Sequence, residues 1–162
     1  MNLKVTYVIL YRRWALTFLL LFLVGGSVNG QTEISKDRIN RIIDWSKGAY
    51  QIDIAPIQDS LQLAIKLSKK SGSQVLEARA YEAYMKFLLE KARDFDSASE
   101  VVEKIKALSD KGKKPVVRSI FHICKGRLFM YEDANREKGK EQFRLAIEIL
   151  GNMYSSPPDF CR

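Results

Sequence analysis

Between residues 36 and 151 the apolar positions return at intervals of three and four, the spacing that gathers side chains onto one face of an α-helix. The pattern is interrupted at glycine, proline and asparagine, and these breaks predict helices over 36–50, 55–70, 73–92, 96–110, 115–132 and 136–151. Runs that alternate apolar and polar residues, as strands do, are nearly absent past residue 30. The fold class this predicts is all-α.

Several boundaries have a local cause. Pro56 and Pro115 fall near helix starts, where a missing N–H leaves no bond unmade. Asp96 or Ser97, and Asn135, are placed to accept hydrogen bonds from the first free amides of the next helix. Gly72, Gly112 and Gly151 follow apolar stripes at points where a left-handed cap residue is wanted. They recur every 40 or 39 residues, which raises the question of an internal repeat.

An ungapped offset of 41 aligns the segments best. In the second helix of each pair, Ile57, Leu61, Ala64 and Leu67 match Ala98, Val102, Ile105 and Leu108, and then Gly139, Phe143, Ala146 and Ile149. In the leading helices, Leu76, Ala80, Ala83 and Phe87 match Val117, Phe121, Cys124 and Leu128. Apolar or small classes return at each matched position, so Ala64, Ala83, Ala98, Ile105, Cys124, Gly139, Phe143 and Ala146 are expected to be structural positions of a repeat. Ala98, Gly139 and Ala146 in particular should be buried at helix crossings.

Gly139, Phe143 and Ala146 in GKEQFRLA, and less closely Ala98, Val102 and Ile105 in DFDSASEVVEKI, resemble the second helix of the tetratricopeptide repeat (TPR). The resemblance spans roughly residues 36–151 and implies an α-α superhelix, a TPR-like solenoid of about three helical hairpins. The unit is longer than the usual ~34 residues, and in this it resembles repeat regions found outside the membrane in some bacterial sensor kinases and regulators. The Trp-Leu-Gly-Tyr signature of the first helix is absent: with Cys124 at the Leu position, the Gly position falls on Lys125 and on Tyr84 one unit earlier. The family architecture implies that leading helices line a concave groove for peptides or partner helices. A second stripe there, Ala78, Tyr81, Met85 and Leu88 matched by Ser119, His122, Gly126 and Phe129, makes Tyr81, Met85, His122 and Phe129 the candidate partner-binding residues. Contact between neighbouring repeats is the competing reading of the same stripe.

The first 30 residues read as a secretory signal peptide, the next 122 as the repeat domain (31–152) and 153–162 as a short tail. Basic Lys4, Arg12 and Arg13 precede the apolar run WALTFLLLFLV, and Val28 and Gly30 are small enough for positions −3 and −1 of a cut before Gln31. The run is short for a spanning helix, which needs ~20 residues. VTYVILY just upstream could extend it into an uncleaved anchor. Either reading exports the rest of the chain to a periplasmic or extracellular location.

From Gln31 onward the chain carries 24 basic and 19 acidic residues, a formal charge of +5. Export argues against nucleic acid as the reason, and Lys69, Lys70, Lys111, Lys113 and Lys114 mark matching turns that form a basic rim on one edge of the stack.

Little in the chain points to catalysis. The only histidine, His122, stands two residues from Cys124, a spacing that sends the two side chains to different helix faces, and no further Cys/His set completes a metal site. No phosphate loop or nucleophile elbow is present. Cys161 could bridge to Cys124 or stay free. The expectation is therefore an exported scaffold without enzyme activity, metal or cofactor, binding a protein or peptide that basic turns would favour as acidic. Self-association through an uncapped last repeat is open. The alternative is an extracytoplasmic sensory or structural segment of a membrane-anchored signalling protein, with membrane contact if the N-terminal segment is retained.

Overall fold

The computed structural model describes residues 36–49, 53–132 and 135–155, together with Glu33. Among these residues six helices and no strands are found, so the chain is all-α. We label them α1 (36–48), α2 (Ile54–Lys70), α3 (Gln74–Phe87), α4 (Phe95–Gly112), α5 (Pro115–Glu132) and α6 (Arg136–Ser155). Residues 1–30, read above as a signal peptide, together with Cys161 and the diproline of the tail lie outside the described residues.

Consecutive helices pack as antiparallel neighbours, and α3 also packs against α5. α1 runs parallel to α3: its Ile39 and Ile43 share a core with Leu76 and Ala80, and Lys91 donates a hydrogen bond to the Ala49 carbonyl at the far end. The leading helices α1, α3 and α5 therefore start at one end of the molecule, where α2, α4 and α6 finish. This arrangement is compatible with a solenoid of helical hairpins.

The main core joins α2 to α5 through Leu61, Met85, Leu89, Ile105, Val117 and Cys124 among others. Each large apolar side chain so buried contributes ~1.5–3 kcal/mol by removal from water. Several positions matched at the offset of 41 share their burial. Ile57, Ala98 and Gly139 are all buried, as are Ala64, Ile105 and Ala146, while Leu67, Leu108 and Ile149 are all half-buried. Phe143 and Ala83 are half-buried and Cys124 is fully enclosed.

Two details of the boundaries differ from expectation. Asp94, not Asp96 or Ser97, caps α4: its carboxylate accepts the Ser97 N–H at 3.0 Å, and this bond lowers the acid's pKa. α3 continues as a π-helical turn, Leu88–Ala92, which Arg93 closes in the left-handed region at φ 55° just before this cap. Of the glycines, Gly72 does take a left-handed cap at φ 67°, but Gly112 ends α4 and the positive φ of 48° falls on Lys113. Gly112 instead packs against α3, where a Cβ would meet only the movable end of the Gln74 side chain. Gly151 lies inside α6.

At the crossing of α5 and α6, Gly126 faces Gly139. A Cβ on either would sit 3.1 Å from the other's carbonyl oxygen. Glycine on both helices is what lets the two backbones come this close. Gly126 is therefore a crossing residue and not part of an open groove.

Candidate functional site

The stripe expected to line a groove is mostly inside the protein. Tyr81 is 6 % exposed and Met85 0 %, with Ala78, Leu88 and Ser119 also buried. The physical reason is that α3 lies between α2, α4 and α5 and shares a core with α1, so two of its faces are covered. Tyr81 and Met85 are thus corrected from partner contacts to core contacts between helices. His122 and Phe129 are half-buried. His122 Nδ1 lies 2.9 Å from Gln142 Oε1 of α6, a bond in which the ring N–H donates to the amide oxygen. Phe129 is flanked by the ammonium groups of Lys125 and Lys138, each 5.9 Å from its ring centroid. These two residues do not meet in one open site with Tyr81 and Met85.

What the leading helices do enclose is a cleft of about 440 Å³. α1 contributes Asn40, Ile43, Asp44 and Lys47; α3 contributes Arg79, Glu82, Ala83, Lys86, Phe87 and, through its π turn, Glu90 and Lys91; α5 contributes Arg127. On α3 the charged residues stand at i, i+3, i+7 and i+11, a single helical stripe. Ile43, Ala83 and Phe87 provide the apolar floor.

The cleft walls are electrostatically tied. Arg127 of α5 reaches Glu82 of α3 at 3.3 Å, Lys86 reaches Glu90 at 3.7 Å, and Lys47 reaches Asp44 at 2.8 Å. Such partly exposed pairs are individually weak, ~0–1 kcal/mol, and serve more to hold the side chains in place than to stabilise the fold. Five cationic side chains face three carboxylates in this cleft, and Arg79 has no acidic partner among the described residues. The cleft is left with a net positive charge and one exposed guanidinium suited to a carboxylate. This stripe was legible as charged residues at helical spacing, but in the sequence it is indistinguishable from any solvated face.

Cys124 and His122 diverge as the spacing requires. Cys124 is fully buried and free, and burial, reinforced by the nearby Glu82 carboxylate, pushes its thiol well above the usual range. Among the described residues no group of three His, Cys, Asp or Glu side chains is placed to hold a metal ion. Cys124 should therefore resist iodoacetamide in the folded protein, alkylating on the order of 100-fold more slowly than after denaturation. Peptide mapping by mass spectrometry distinguishes it from Cys161, and equal rates in the two states would show that the α5 core is open.

On the outer side of α6, Ile147 is 70 % exposed and Met153 40 %, with Met130 of α5 also exposed. No described helix is long and apolar enough to cross a membrane. Comparison of the chain with protein-family models, with curated proteins and with solved structures yields no match.

Proposed function

We propose that the protein is an exported, non-catalytic scaffold that holds an extended acidic segment of another protein in the cleft between α1, α3 and α5. The observation that carries the reading is the cleft itself: three parallel helices present charged side chains in register above an apolar floor, with positive charge in excess. Peptide recognition by helical arrays needs such a row of fixed contacts more than it needs reactive groups, and electrostatic complementarity would raise the rate of encounter. The tetratricopeptide-like spacing of Ala98, Val102 and Ile105 and of Gly139, Phe143 and Ala146 supports the same reading, as does the leader-like segment for export.

A photo-crosslinking amino acid placed at Arg79, inside the cleft, should capture a discrete partner in the producing cell, whereas the same group at Lys104 on exposed α4 should not. Reversing the remaining charge with Lys86→Glu is expected to reduce the captured product by about 5- to 10-fold, the effect of removing a steering charge. Equal capture at Arg79 and Lys104, or capture indifferent to Lys86→Glu, would place the partner elsewhere.

A further inference from the structure

The charge of the protein is not spread over its surface. At the end where α1, α3 and α5 begin, Lys69 and Lys70 close α2, while Lys111, Lys113 and Lys114 close α4 and lead into α5. Gly112 against Gln74 shows that the end of α4 meets the start of α3, and the turn at Ser71–Ser73 brings the end of α2 to the same place. Lys36 and Arg38 in the first turn of α1 and Arg118 in the first turn of α5 belong to this end too.

These eight cations share the end with four acids, Glu33, Asp37, Glu77 and Asp110, so the end carries a net charge of +4 out of the +5 of the chain from Gln31 onward. All eight cations are exposed, and none forms an ion pair among the described residues. The ion pairs that do form lie along the helix sides and at the cleft. Solvated helix C-termini account for single lysines. They do not account for Lys36, Arg38 and Arg118, which stand at helix N-termini where the dipole disfavours positive charge.

We infer that this basic end is an electrostatic docking surface for an anionic lipid bilayer. Two observations favour a membrane over a soluble polyanion. The termini of α2, α3 and α4 meet at this end, which gathers its cations on one face of the molecule. It is also the end at which α1 begins, eleven residues after the apolar run Trp14–Val24. A chain that leaves a bilayer, or is released beside one, enters the fold at its basic face. Clusters of four to eight basic residues beside an apolar segment are suited to anionic headgroups, and the attraction decays within a Debye length. The cleft then runs perpendicular to the bilayer, along helices that stand on it.

The test uses the full-length chain with vesicles of phosphatidylcholine alone or with 30 % phosphatidylglycerol, and a water-soluble acetylating reagent read by mass spectrometry. Lys69, Lys70, Lys111, Lys113 and Lys114 should be protected at least about 5-fold by the anionic vesicles relative to the neutral ones, while Lys104 and Lys140 are unchanged, and 0.5 M NaCl should remove the protection. The quadruple variant Lys69→Glu, Lys70→Glu, Lys111→Glu, Lys113→Glu should lose the lipid-dependent protection of Lys114. Equal labelling on both vesicle types, protection of Lys104 and Lys140 to the same degree, or protection given by a soluble polyanion but not by phosphatidylglycerol would each overturn the inference. The readout is separate from partner capture in the cleft, so either proposal can fail alone.

Discussion

Ile105→Ala should lower the free energy of unfolding by about 3 kcal/mol, within the ~2–5 kcal/mol span for truncating an enclosed aliphatic side chain. Ile105 is 0 % exposed, on the inner face of α4, in the cluster that also holds Val102, Val117 and Cys124. The loss comprises the transfer of three methyl(ene) carbons and the cavity left behind, which the surrounding helices cannot close without moving α3 or α5. Because this cluster links four helices, the effect should appear as a whole-domain shift of a urea transition with unchanged slope. Lys104→Ala, one residue away but on the exposed side, should change stability by under ~0.5 kcal/mol. An Ile105→Ala change below ~1 kcal/mol would mean that α4 does not face the core as described.

Gly126→Leu should act differently, by releasing α6. A Cβ at this position already lies 2.9 Å from Phe143 Cε1 and 3.1 Å from the Gly139 carbonyl oxygen. The phenyl ring can turn aside, but the carbonyl belongs to the backbone of α6 and yields only if the helices separate. A leucine therefore forces α6 off α5, and since α6 rests chiefly on α5 the rest of the domain keeps its contacts. Overpacking of this kind costs ~1–3 kcal/mol. At the upper end of that range, the amides of α6 should exchange on the order of 100-fold faster, with those of α2 and α4 nearly unchanged. Gly126→Ala brings the same Cβ against the Gly139 carbonyl without the bulk beyond it, so it should destabilise less than Gly126→Leu, alanine's helix advantage of ~1 kcal/mol offsetting part of the cost. Equal acceleration across all helices in Gly126→Leu would show that α6 is integral to the core.

The helices and their repeat were legible because burial here follows a simple rule. Ala64, Ile105 and Ala146 lie at equal offsets and all are buried, as expected of residues at a helix crossing. The choice of Asp94 over Asp96 as cap was not legible. Both are competent caps, and the one used follows directly on the π turn, where three consecutive residues, Phe87, Leu88 and Leu89, are buried. That choice leaves no local mark in the sequence.

The candidate site failed in the sequence for a related reason. Tyr81 and Met85 have the size and softness of partner contacts, but the same properties suit an interface between repeats, and apolarity alone cannot say which neighbour covers a residue. The residues that line the cleft, Arg79, Glu82, Lys86 and Glu90, are charged and therefore resemble a solvated face. Only the parallel placement of α1 and α5 beside α3 turns that face into a wall. Gly126, read as part of the same stripe, acquires its role only when Gly139 is seen opposite it.

The concentration of cations at one end has a consequence for how the molecule moves before it touches anything. A body with most of its excess charge at one tip has a permanent dipole moment along the helix axes. In the field of a negatively charged object it experiences a torque as well as an attraction, so it arrives already rotated, tip first. At physiological salt this alignment operates only within the last ~8 Å of approach. Diluting the salt lengthens that reach, and the molecule would then be turned well before contact.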